Sequence, residues 1–131
     1  MYANKGLVLA KGLNTVVIES DAYSILHQAY YNLGNLYYYQ QRYEDAISMF
    51  QKMLDISNDN ILAYYNLGNC LQKLGKISNA IYCYQSALNK DSKHIGSLNN
   101  IAMCLMQIGK IDKANCHFEK LINSGNISSY N

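Results

Sequence analysis

The seven residues Ala29-Tyr30-Tyr31-Asn32-Leu33-Gly34-Asn35 return unchanged as Ala63-Tyr64-Tyr65-Asn66-Leu67-Gly68-Asn69, a shift of 34 positions. Few architectures accommodate an internal repeat of that length. A unit so short cannot bury its own apolar face and has to stack on its neighbours, so the period predicts a solenoid. Setting the units at 27–60, 61–94 and 95–128 brings a third, more divergent copy into phase.

Equivalent positions then agree in character. Tyr30, Tyr64 and Leu98 are followed by Leu33, Leu67 and Ile101, by the small residues Gly34, Gly68 and Ala102, and by Tyr37, Leu71 and Leu105. This is the i, i+3, i+4, i+7 spacing of one helical face, with a small residue where something must come close. The later half of each unit carries Ala46, Ala80 and Ala114, then Phe50, Tyr84 and Phe118, then Met53, Ala87 and Leu121, which predicts a second helix. Gln41, Gly75 and Gly109 fall between the halves and mark a tight turn. Ser24, Asn58, Ser92 and Asn126 share one position between units and are expected to cap the helices that follow.

The chain is therefore read as one all-α domain over residues 1–131, with 1–26 as a worn half repeat in which Leu9, Gly12, Leu13, Val16 and Val17 carry the face of a preceding second helix. A start in mid-repeat suggests a fragment of a longer array. Leu98, Leu105, Leu121 and Ile122 are expected to lack a covering helix at the far end, which makes self-association through that face an expectation.

Half of the residues are hydrophobic, enough for a core, while 15% are charged and the net charge is +2. That balance argues against a nucleic-acid or anionic-membrane surface, both of which need clustered Lys and Arg. The apolar stretch from Leu7 to Ile18 is too short and too interrupted to span a bilayer. Cys70, Cys83, Cys104 and Cys116 form no CxxC pair and read as buried thiols of a reducing compartment, the cytoplasm or else the nucleus. Gly75-Lys76 lacks the spacing of a phosphate-binding loop, and Cys104, Cys116 and His117 lack that of a zinc site. Glu44 and Asp45 open a second helix, where carboxylates favour the dipole without any acid-base role. No catalytic constellation, metal or cofactor is expected.

These positions resemble the tetratricopeptide repeat family: 34-residue helix-turn-helix units with an aromatic, Leu-Gly, Tyr, Ala, an aromatic and a further small residue in order. The resemblance covers residues 27 to about 124. It implies a right-handed α-α superhelix of antiparallel helix pairs, and a scaffold for a protein or peptide partner instead of an enzyme. It further implies that the first helices line a concave face. The peptide-binding residues expected there are Tyr31, Asn32, Asn35, Tyr38, Tyr65, Asn66, Asn69, Lys73, Asn99, Asn100 and Met103. This face is polar, aromatic and nearly uncharged, and Asn32, Asn66 and Asn100 form a ladder whose amides can both donate to and accept from an extended backbone. Members that clamp a C-terminal carboxylate use basic residues where Tyr31, Gly96 and Asn100 stand, so a mostly neutral peptide is expected. The alternative is a structural or oligomerisation segment of a longer array, attached for example to a glycosyltransferase.

Overall fold

The computed structural model describes residues 12–123, with side chains from residue 21 onward. All regular structure among them is helical: α1 (Gly12–Tyr39), α2 (Tyr43–Ile56), α3 (Ile61–Lys73), α4 (Ile77–Lys90), α5 (Ile95–Gln107) and α6 (Ile111–Asn123). Each helix packs mainly on those before and after it in sequence, and α3 also meets α5. Stacking of this kind is the one-dimensional arrangement that the 34-residue period predicts.

The helix pairs close through the apolar positions read from the sequence. Ala46, Phe50 and Met53 are buried on α2, Ala80, Tyr84 and Ala87 on α4, and Ala114 and Leu121 on α6. The rings of Phe50 and Tyr84 lie directly over Gly34 and Gly68, so close that a Cβ there would stand 2.6 and 2.7 Å from them. Glycine at these two positions is a requirement of space. In the third pair Ala102 replaces glycine, and Phe118 is half buried. Each buried aromatic or leucine contributes about 1.5–3 kcal/mol from the transfer of its side chain out of water.

The turn inside each unit ends its first helix identically. Arg42, Lys76 and Lys110 donate their backbone N–H to Tyr37, Leu71 and Leu105, and the preceding residue bonds back to Tyr38, Gln72 and Met106. This double bond pattern needs a left-handed residue between them. Gly75 and Gly109 supply it with φ of 79° and 83°, whereas Gln41 adopts φ 63° with a full side chain.

The turn between units differs from expectation. The helix caps are Asn60, whose side chain accepts from the Ala63 N–H at 2.8 Å, and His94, whose Nδ1 accepts from Ser97 at 3.2 Å. Asn58 and Ser92 lie two residues earlier, within the turn, and Asn58 instead offers its carbonyl to the Tyr64 hydroxyl. The expected cap at Asn126 lies outside the described residues.

At the N-terminal end the expected break at Ser24 does not form, and α1 runs through it as one helix of 28 residues. The reason is local. Where Ser57-Asn58-Asp59-Asn60 and Asp91-Ser92-Lys93-His94 supply turn formers and a cap, the same positions hold Tyr23-Ser24-Ile25-Leu26, with no side-chain acceptor at the capping place. Residues 12–26 therefore do not fold back as a separate second helix, and Leu9 lies outside the described residues. A direct consequence is that Leu33 is 39% exposed although its equivalents Leu67 and Ile101 are buried.

The opposite end also differs. Leu98, Leu105 and Leu121 are buried within the last cluster, against Ile81, Tyr84 and Phe118, and of the four residues expected to be uncovered only Ile122 is exposed. Cys70, Cys83 and Cys104 are buried as expected, but Cys116 is exposed because it falls on the outward face of α6. Burial pushes the Cys70 thiol up to about 12, with Cys83 adding to it, and the Cys83 thiol to about 11.

Two outcomes follow. Native protein treated with iodoacetamide near pH 8 should gain one adduct, at Cys116, and unfolded protein four, as read by mass spectrometry. Gln41→Gly should relieve the left-handed strain and stabilise the fold by about 1 kcal/mol, raising the melting midpoint by roughly 3 °C.

Candidate peptide-binding face

The first helices α1, α3 and α5 carry all the residues expected to bind a partner, and the structure divides them into groups. Asn35, Tyr38, Tyr65, Asn66 and Asn69 meet around one cavity of about 210 Å³, joined by Tyr39 and Phe50. Tyr31 borders a second cavity of the same volume with His27, Gln28 and Leu62. Asn32 lies exposed and accepts from the Gln28 amide at 3.1 Å. Lys73, Asn99 and Met103 are exposed and lie outside both cavities.

Asparagines at repeat-equivalent places have different employment. Between the second and third units, Asn100 donates to Asn69 Oδ1 at 2.8 Å, and its other hydrogen faces the hydroxyls of Tyr84 and Tyr65 at 3.4 and 3.5 Å. The buried Tyr84 hydroxyl has one proton to give and lies 2.6 Å from Asn69 Oδ1 and 2.8 Å from Gln72 Oε1. The shorter contact takes it, and the Gln72 amide, turned about, can meet the hydroxyl's remaining lone pair. Burial raises the Tyr84 phenol well above its ordinary range, opposed by the Asn100 hydrogen bond, so the group stays a neutral donor.

Move back by one repeat and two members of this network change. Asn35 and Asn66 occupy the places of Asn69 and Asn100, but Phe50 stands where Tyr84 does and has no hydroxyl. Neither amide has a hydrogen-bond partner among the described residues, and both are half exposed at the cavity wall. Tyr38, whose phenol is raised by burial first and by Tyr43 next, takes the place of Gln72. Its ring is held edge-on by Tyr39 and Tyr43 at centroid distances of 5.7 and 5.4 Å, which fixes one wall. Tyr65 is fixed too, lying on Gly96 so closely that a Cβ there would be 2.7 Å from its ring.

Two contributors were not singled out from the sequence. In the sequence Tyr84 reads as a packing residue, and the one signal of more is its hydroxyl in a column otherwise filled by Phe50 and Phe118. His27 borders the second cavity with Nε2 buried and unpartnered, and no motif marks it. Among the described residues no helix is long and apolar enough to cross a membrane, and no three metal-ligating side chains come together.

The tetratricopeptide repeat family model matches residues 25–93, more than half of the chain. The chain belongs to that family and has its all-α solenoid fold. Among solved structures, MamA MSR-1 is similar at 26% identity with a TM-score of 0.68, over 74% of this chain and 56% of MamA, so the chain spans little more than half of that structure. PcrH, in complex with the chaperone binding region of PopD, is 26% identical with a TM-score of 0.68, over 71% of this chain and 70% of PcrH. The second such domain of Spaghetti (RPAP3), bound to an HSP90 peptide, shares the fold with a TM-score of 0.72 at 19% identity, over 78% of this chain and 96% of that one. No curated protein matches the chain in sequence.

The two asparagine pairs should respond differently to truncation. Asn100→Ala leaves Asn69 and Tyr84 short of partners and should cost about 1–3 kcal/mol, while Asn66→Ala should stay within about 0.5 kcal/mol. Denaturant unfolding of the two variants side by side measures the contrast.

Proposed function

We propose that the chain is a protein-interaction scaffold that holds an extended, mostly neutral peptide segment along its first-helix face. The observation that carries this reading is the unsatisfied asparagine pair. Asn35 and Asn66 are the repeat equivalents of a pair that is engaged one repeat later, yet they open on a cavity walled by fixed aromatic rings. Each amide can donate to a peptide carbonyl and accept from a peptide N–H, so both are suited to reading a backbone. The aromatic walls offer rigid contact area at low entropic cost.

The absence of charge at Tyr31, Gly96 and Asn100 favours a neutral segment over a terminal carboxylate, which would need cationic partners. Complexes of PcrH with a region of PopD and of RPAP3 with an HSP90 peptide support peptide binding by this fold. In this reading Asn69 and Asn100 set the shape of the groove, and Asn35 and Asn66 touch the ligand.

The test is affinity capture from a native extract with wild type and an Asn35→Ala/Asn66→Ala variant side by side. Partner retention should fall roughly tenfold, the loss expected from two hydrogen bonds of about 0.5–1.5 kcal/mol each. The melting midpoint should hold. Equal retention by the two proteins contradicts the assignment.

A further inference from the structure

A groove of about 310 Å³ lies on the other side of the solenoid from the asparagine cavity, between the second helices α4 and α6. Its floor is Ile101 and Leu105 of α5 with Ile108 at that helix's C-cap, spaced i, i+4, i+7 on the side opposite Asn99, Asn100 and Met103. Its rim on the α6 side is Lys110, Lys113 and His117. Lys120 continues the line of Lys113 and His117 by a further helical step, while Asp112 and Glu119 lie about 100° round the helix. The α4 side, including Ser78 and Gln85, carries no charge, and neither does the floor.

The groove is therefore cationic, with no carboxylate in its lining among the described residues. One repeat earlier the equivalent positions read differently: Glu44 stands in the place of Ser78, Asn79 in that of Lys113, and the buried Cys83 in that of His117. Only the later groove combines two lysines with an imidazole, and His117 Nδ1 is buried there with no hydrogen-bond partner. Burial, and next Lys120, hold this imidazole below its ordinary range and so favour its neutral form.

We propose that this groove docks a short acidic segment of a partner protein, with an aliphatic side chain on Ile101, Leu105 and Ile108 and a carboxylate between Lys110 and Lys113. The volume suits one or two side chains and falls at the bottom of the range for whole small-molecule ligands. The site is separate from the first-helix face and does not rest on the function proposed for it.

The whole chain is titrated with a short fluorescein-labelled peptide of repeated Glu-Leu-Glu units and with its Gln-Leu-Gln counterpart, read by anisotropy. The acidic peptide should bind saturably, more weakly with added salt, and at least tenfold more tightly than the neutral one. Lys110→Glu/Lys113→Glu should lower its affinity roughly tenfold or more. Lys110→Gln/Lys113→Gln provides a milder version that keeps α6 intact. Bound peptide should shift the His117 ring resonances and move their titration to higher pH, because a nearby anion favours the charged imidazole. Asn35→Ala/Asn66→Ala should change none of this. Binding that ignores both lysine variants, binding lost on removing the asparagines, or no saturable binding at all would overturn the proposal.

Discussion

Everything in this solenoid depends on how closely two helices of one unit can approach. Phe50 and Tyr84 rest on helix backbone at Gly34 and Gly68, and that contact sets the angle at which α2 and α4 leave their partners. With the angle set, the apolar faces of α2 and α4 meet the following first helices, and the core becomes a chain of overlapping clusters. In the third unit Ala102 stands in the place of glycine and Phe118, half buried, packs against the same cluster without a change of plan.

Much of the fold was legible because repetition supplies its own comparison. A single Leu or Tyr says little, but three in phase define a face, and the buried positions of α2 to α6 follow those columns closely. The turn residues Gln41, Gly75 and Gly109 were also found this way. The capping residues were misplaced by two positions, since Asn58 and Asn60 are both good caps and only backbone geometry selects between them. The unbroken α1 was missed for a related reason. Ser24 kept the register, but register is not a turn, and no neighbouring residue in Tyr23 to Leu26 ends the helix.

The candidate site was less legible than the fold. The columns put the asparagines on one face, but a column cannot say whether an amide is already employed. That depends on a residue from another helix, and the deciding difference is Phe50 against Tyr84, two aromatics that packing treats alike. A duplicated heptapeptide thus carries two different roles: Asn69 belongs to a closed internal network, and Asn35 does not.

The same difference has a mechanical side. The second and third units are joined through the hydrogen bonds of Asn69, Asn100 and Tyr84, whereas no side-chain hydrogen bond runs between α1 and α3 among the described residues. Away from the turn bonds of Asn58 and Asn60, the junction of the first two units rests on apolar contact, which resists sliding less than directional bonds do. The cavity of Asn35 and Asn66 opens at this joint. In the proposed function, a segment seated on those amides bridges the joint from outside, doing for the first interface what one phenolic oxygen does for the second.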